Sequence, residues 1–354
     1  MIYIIYGSDI ANNTYDVLKA SDIGSYLKAD HAVAIKPNLV VPRPASDGAT
    51  THPEVAEGII LFLRDFGVRK IKIIESSWVG GSSTKQAFKN CGYEELSKKY
   101  NIPLIDLKTD STTTLKHGDL KIEVCDEALK TDFLINVPVL KAHCQTNLTC
   151  CFKNLKGCIP DGEKRRFHSL GIHKPVAALG ALIKTGYCVV DGICGDLTFE
   201  EGGNPVTANR IIAGRDQVLI DSYCAELIGY RPDEIEYLTH AKKLGLGEFW
   251  SQSTKLVELN AQQKPVHRAT GGRTADRYKA VIDEDSACSA CYSSLVYALH
   301  RLGGKGRADG KIHIGQGFRD KGGPGLGIGN CARGFAKCVP GCPPKATEIM
   351  DALR

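Results

Sequence analysis

Short apolar stretches alternate with amphipathic ones along most of the chain, and that alternation restricts it to a sheet flanked by helices. His31–Ile35 (HAVAI) has the apolar character of a strand. Residues 53–66 then put Val55, Ile59, Ile60, Leu63 and Phe66 on one helical face, with Pro53 in the first turn and Gly67 as the stop. Residues 70–76 (KIKIIES) return as a strand, and a strand–helix–strand unit predicts parallel pairing. Further strands are expected at Ile102–Leu107, Lys121–Val124, Phe133–Val137, Cys188–Val190 and Ile211–Ala213, and helices at 84–99, 174–184 and 217–228. The expected fold class is α/β, with a large parallel or mixed sheet domain and flanking helices over residues 1–277. A polar connection at 251–277 leads into a small C-terminal α/β module at 278–354.

At 43% hydrophobic and 24% charged residues the composition is that of a globular chain, and no apolar run approaches the roughly 18 residues of a membrane span. The opening MIYIIYGSDIANN has neither a basic region nor an apolar core of signal length, so no membrane partner and a cytoplasmic, reducing setting are expected. Fourteen cysteines in such a setting point to metal rather than to disulfides. A net charge of +5 with 7% aromatic residues argues against a zinc-containing nucleic-acid module, and no nucleic-acid partner is expected. GxGxxG, Walker, HExxH and GxSxG patterns are absent, and WVGGSST (78–84) is at most a phosphate-friendly turn.

Five cysteines crowd the C-terminal module in the order Cys288-x2-Cys291-x39-Cys331-x6-Cys338-x3-Cys342. The CxxC pair stands at a predicted helix start, where backbone N–H groups and the positive helix end favour thiolates. Such a set suits zinc or an iron–sulfur cluster. Structural zinc more often uses two short knuckles, whereas only the first pair is short here. Dispersed later ligands in the glycine-rich GPGLGIGNC and VPGCPP segments fit a cluster better. The strings CSAC, GNCA and VPGCPP resemble the cluster-binding motifs of the nickel–iron hydrogenase small subunit and of the corresponding subunit of respiratory complex I. That resemblance covers about the last 70 residues and implies one 4Fe–4S cluster on Cys288, Cys291, Cys331 and Cys342. Cys338 is then an extra thiol or an alternative fourth ligand.

In the large domain, polar strings stand beside predicted strand ends: KPN (36–38), TTHP (50–53), NVPVLKAH (136–143), FKNLKGCIPDGEKRRFH (152–168), VVDGICG (189–195), EEGGNPV (200–206) and RDQVLIDSYCAELIGY (215–230). In this order they resemble the bacterial and archaeal family called domain of unknown function 362, in which an α/β domain is often joined to a cluster-binding segment. The chain departs from that pattern in EEGGNP, and its C-terminus lacks the paired ferredoxin repeats common in the family.

The residues themselves suggest an anion site. Lys141, Lys153, Lys156, Lys164, Arg165, Arg166 and Lys174 are opposed only by Asp161 and Glu163 between 141 and 174. Lys164–Arg166 read as a solvated basic loop. Lys141, Lys153 and Asn154 interrupt apolar runs, and buried charge needs a partner, so with Lys36, Asn38 and His52 they form the expected substrate-binding set. His143 and His168 are the candidates for proton transfer, and Asp191, at an expected strand end, for orientation. Cys144, Cys150, Cys151 and Cys158 read as buried small hydrophobes, since neighbouring cysteines do not readily point at one iron. Cys188, Cys194 and Cys224 read as core. The expected function is a cluster-dependent oxidoreductase acting on a small anionic molecule. The alternative is a non-enzymatic electron carrier, or a redox subunit bound to a partner protein.

Overall fold

The computed structural model describes residues 1–79, 83–265, 273–303 and 310–354. In the large domain the strands are β1 (Ile2–Tyr6), β2 (Ala32–Pro37), β3 (Lys70–Glu75), β4 (Leu104–Asp106), a hairpin of β5 (Thr112–His117) and β6 (Leu120–Cys125), β7 (Phe133–Val137), a hairpin of β8 (Lys141–His143) and β9 (Asn147–Thr149), β10 (Thr185–Asp196), β11 (Pro205–Gly214) and β12 (Leu256–Glu258). Eight of them form one sheet in the order β12-β1-β11-β10-β7-β2-β3-β4. All pair in parallel except β11, which runs against both β1 and β10. The protein is thus mixed α/β, with a large, mostly parallel sheet and flanking helices.

Both faces of this sheet are buried, as a parallel sheet requires. Val33, Ile35, Ile73, Ile135 and Val189 lie in one core, while Ala34, Ile74, Leu134 and Val190 lie in the other. Strand alternation therefore carries Lys36 and Asn136, which face each other across β2 and β7, onto the side of Ala34 and Leu134. That side holds the short helix Cys151–Asn154 and the helix Asp161–Ser169.

The structure departs from the sequence expectations in five places. The helix expected at 84–99 is two helices, Thr84–Asn90 and Tyr93–Tyr100, broken where Gly92 takes φ 80°. Cys188–Val190 and Ile211–Ala213 are the middles of much longer strands, β10 and β11. The N-terminal Ile2–Tyr6 is an interior strand between β11 and β12. The connection at 251–277 contributes β12, which closes one edge of the sheet. In the module, the glycine-rich segment GPGLGIGNC (323–331) is mostly strand, whereas VPGCPP (339–344) leaves the sheet after Val339.

The module's sheet is β13 (Ile282–Glu284), β14 (Ile312–Ile314), β15 (Gly322–Ile328) and β16 (Gly334–Val339), paired in parallel in that order. Glycine suits β15 and β16 because a Cβ on Gly322 would stand 2.2 Å from the Gly334 carbonyl oxygen. Helices Ser289–Arg301 and Ala346–Leu353 supply Leu295, Val296, Leu299 and Ile349 to the module's own core. The module sits directly on the large domain. Gln145 Nε2 donates to the Ala287 carbonyl at 2.9 Å, Ser289 Oγ donates to Gln145 Oε1 at 2.9 Å, and Gln316 Nε2 donates to the Arg165 carbonyl at 3.1 Å. Among the described residues no helix is long and apolar enough to cross a membrane.

Candidate functional site

Beneath the module's seat a cleft opens between the carboxyl ends of β2 and β3, the segment 149–168 and the start of helix Ser289–Arg301. Open parallel sheets place ligands at strand carboxyl ends. Lys36, Asn38, Lys153, Asn154, Lys156, Lys164, Arg165 and His168 line it, together with Glu75 and Glu200.

These side chains divide by what already holds them. Lys36 is buried and bonded to Glu75 Oε1 at 3.0 Å, Glu75 Oε2 at 2.9 Å and Asn154 Oδ1 at 3.2 Å. Asn154 Oδ1 also accepts from Asn38 Nδ2 at 2.9 Å, and Asn154 Nδ2 donates to Asn136 Oδ1 at 2.7 Å. Lys36, Asn38 and Asn154 thus form a closed internal network whose charge Glu75 neutralises, rather than a free anion receptor. Lys164 is buried too, donating to Ser76 Oγ, to the Ser77 carbonyl at 2.9 Å and to Asp161 Oδ1 at 3.1 Å. The basic string is therefore not solvated throughout: Lys164 is buried, while Arg165 is exposed. It is a helix, and on one turn of it Lys164 and His168 share a buried face.

The remaining cations are less compensated. Lys153 Nζ lies 3.6 Å from Glu200 Oε1. Half-buried Lys156 meets His168 Nε2 at 3.2 Å and the Phe167 ring at 6.0 Å, and neither it nor exposed Arg165 has a carboxylate within ion-pair distance among the described residues. Burial, then the Lys153 charge, pulls the Lys156 ammonium well below its usual value, and burial, then Lys156, does the same to His168. His168 is therefore neutral near pH 7. Its Nε2 faces Lys156 Nζ, and its Nδ1 is buried without a partner among the described residues, as is Trp78 Nε1, also on this wall. Lys156, Arg165 and His168 are thus the cleft groups least held by carboxylates among the described residues.

Four other expected residues lie off the cleft. Lys141 is wholly buried, donating to Asn38 Oδ1, to the Ala49 carbonyl at 2.6 Å and to the Glu200 carbonyl at 2.8 Å, and burial lowers it to about 8 despite the Glu200 charge. His143 accepts the Gln145 and Thr146 N–H groups on Nδ1, at 3.0 and 3.1 Å, and Nε2 lies 2.9 Å from Glu200 Oε2. Burial holds it at about 4 against the pull of Glu200, so it is a neutral prop for Glu200 rather than an acid or base facing a ligand. Asp191 is mid-strand rather than at a strand end, because β10 runs on to Asp196. Its Oδ2 accepts from the His52 N–H at 2.7 Å and from Nδ1 at 2.8 Å, and its Oδ1 accepts from the Ile193 N–H at 3.1 Å. His52 and Asp191 pin the start of helix Pro53–Asp65 to β10.

That pair makes stability pH-dependent. Burial disfavours the His52 imidazolium, but the charge and hydrogen bond of Asp191 outweigh burial, so His52 is raised. Its contribution is complete below the unfolded pKa of about 6.5 and fades as pH rises through the folded value. Asp191→Asn is thus expected to lower the melting temperature more at about pH 5.5 than at about pH 9; equal losses would contradict this reading.

A second cavity, of about 400 Å3, adjoins the cleft and is lined by Cys288, Cys291, Cys331 and Cys342 with Gly315, Gly329, Gly341 and Arg319. Cys288 is the N-cap of helix Ser289–Arg301, Cys291 lies in its first turn, and Cys331 sits in the turn Asn330–Ala332. Cys288, Cys291, Cys342 and Arg165 line both cavities. Burial, then the neighbouring cysteines, raises the Cys288 and Cys291 thiols, the latter to about 12. Four thiols around one space, which resist ionising together, are a donor set for a soft cation, and Arg319 on the same cavity adds positive charge. Cys338 lines neither cavity: it lies on β16 opposite Gly327, its thiol directed to the Gly329 carbonyl at 3.8 Å.

Sequence reasoning had not assigned Glu75, Glu200, Trp78, Lys156 or Arg165 to the site. Lys156 and Arg165 lie inside the basic string and Glu200 opens the string EEGGNPV, whereas Glu75 stands near the end of a predicted strand and carries no further signal. Gly80, Gly81 and Ser82 of the expected phosphate-friendly turn lie outside the described residues.

Fold and site together define an α/β protein with a cysteine-bearing module seated over a cleft at the strand ends. Residues 33–226 match the family described as domain of unknown function (DUF362), and the chain belongs to that family. The match stops short of the module, so the hydrogenase likeness rests on its cysteine strings alone. A thylakoid-associated protein of Synechocystis sp. is 25% identical over 232 residues, 63% of this chain and 71% of its own length. Two solved structures resemble 68% of the chain: the lactate racemase apoprotein of Thermoanaerobacterium thermosaccharolyticum (TM-score 0.38, 11% identity) and a Thermotoga maritima protein (TM-score 0.37, 13% identity). The matched parts span 56% and 60% of those chains.

Proposed function

We propose that the protein is an oxidoreductase in which one 4Fe–4S cluster, on Cys288, Cys291, Cys331 and Cys342, serves a small anion bound in the adjoining cleft. The observation that carries this reading is the shared wall: three of the four cysteines face both cavities. The spacing of the sulfurs favours a cluster over a single zinc ion. No three of them lie mutually within 4.8 Å, whereas thiolates bonded to one zinc at about 2.3 Å stand about 3.8 Å apart. Such a cluster, when bound, gives or takes one electron at a time.

The chain's own residues do the rest. Lys156 and Arg165 bind the anion, and His168, in contact with Lys156 on the same wall, is the proton source for a reduced product. Glu200, held by His143 and Lys153, restrains Lys153 on the same wall. Val40, Val79 and Trp78 exclude water from the mouth.

The test is anaerobic oxidation of reduced viologen across a panel of small carboxylates and phosphate esters, with binding followed by calorimetry. At least one acid should bind and support turnover, and Lys156→Gln should weaken its binding about tenfold, or about 1.4 kcal/mol. If none binds while the protein holds a stoichiometric redox partner, the electron-carrier reading replaces this one.

A further inference from the structure

Cys150, Cys151, Cys188 and Cys224, expected as separate core thiols, converge on one carboxylate in the sealed interior beneath the sheet. Cys150 and Cys151 stand at the start of the short helix Cys151–Asn154, with their sulfurs 3.9 Å apart. Asp221, from helix Gln217–Leu227, accepts the Cys151 N–H on Oδ1 at 2.7 Å; on Oδ2 it accepts the Phe152 N–H at 3.2 Å and the Tyr237 hydroxyl at 3.0 Å. Cys150 Sγ, Cys151 Sγ and an Asp221 oxygen all lie within 4.8 Å of one another, the only such trio among the described residues. Cys224 adjoins Cys150 and Cys188 adjoins Cys151, and all five residues are 0% exposed.

We propose that Cys150, Cys151 and Asp221 bind one zinc-class divalent ion, with Cys224 or Cys188 closing the tetrahedron. The sulfur separation of 3.9 Å is close to the roughly 3.8 Å that two thiolates adopt on one zinc. A carboxylate in an apolar interior needs compensating charge, and its three hydrogen bonds leave a lone pair for a metal. Tyr237 and the two N–H groups would then orient the carboxylate, as hydrogen-bond partners of metal ligands do. Binding exchanges the thiol protons of the ligating cysteines for the metal, so these protons are released to solvent as the ion enters during folding. The site lies in the large domain, and its ligands are not those of the proposed cluster.

The experiment is metal and sulfide analysis of the full-length protein folded with zinc present, alongside Cys151→Ser and Cys224→Ser variants. One zinc per chain beyond any metal held by the module is expected, falling about tenfold or more in Cys151→Ser while acid-labile sulfide stays unchanged. Should Cys151→Ser fail to fold, cobalt replaces zinc in refolding of the wild-type chain, and a thiolate-to-cobalt charge-transfer band in the near ultraviolet is the readout. Zinc should also raise the urea midpoint of the wild-type chain over that of chelator-treated protein. Wild-type protein that takes up neither zinc nor cobalt here, or whose intact mass shows Cys150 and Cys151 joined as a disulfide, overturns the proposal.

Discussion

Gly157→Ala should destabilise the fold by about 3–5 kcal/mol, the cost typical of breaking a buried ion pair. An added Cβ would lie 2.2 Å from Glu75 Oε1 and 2.5 Å from Lys36 Nζ, and both groups are buried. Nothing in the backbone of Gly157 demands glycine, since its φ lies outside the left-handed range. The effect must therefore come through the pair. Both partners are anchored elsewhere, so moving either breaks further bonds: Glu75 also accepts the Ser76 and Leu39 N–H groups, at 2.7 and 3.0 Å, and Lys36 also donates to the Pro37 carbonyl at 2.8 Å. Displacing either leaves a charge unpaired away from water, on top of the cost of overpacking. Urea unfolding measures this directly, and a loss below about 1 kcal/mol would mean that the Lys36–Glu75 contact is not the rigid floor of the cleft described above.

The second large effect separates two cysteines only four positions apart. Cys342→Ser is expected to strip most of the metal from the module, because Cys342 lines the four-cysteine cavity. Cys338→Ser should leave the metal content unchanged, because that thiol is directed to the Gly329 carbonyl from the neighbouring strand. Metal per chain in the two variants, purified side by side without oxygen, is the readout. Equal losses would show that the cavity is not the metal centre.

Much of this was legible in the sequence because it depends on local pattern. The alternation of HAVAI with the amphipathic residues 53–66 is enough to predict parallel strands, and Cys288-x2-Cys291 at a helix start announces a paired donor. What the sequence hid depends on pairing between distant segments. Ile2–Tyr6 and Leu256–Glu258 are short: the first becomes a strand between β11 and β12, and the second only because β1 lies beside it. The glycine-rich residues 322–339 lack strand propensity, yet form β15 and β16 because glycine permits their close approach. Charge was misread for the same reason. Lys36 and Lys141 look like ligand-binding cations until Glu75 and the backbone carbonyls of Ala49 and Glu200 are seen to hold them. Lys164 looked solvated until its helix turned it onto Ser76 and Ser77. Conversely, four scattered core cysteines gained meaning only when the fold gathered them around Asp221.

The central claim is that a redox cluster and an anion share the wall formed by Cys288, Cys291 and Cys342. Its most direct test is iron, zinc and acid-labile sulfide content of anaerobically purified protein, with electron paramagnetic resonance before and after dithionite, and again with a bound carboxylate. The account predicts about four irons and four sulfides per chain, a signal that appears on reduction, and a change in that signal when the cleft is filled. One zinc in the module with no sulfide would contradict it, as would a reduced cluster whose spectrum is indifferent to a carboxylate shown by calorimetry to be bound.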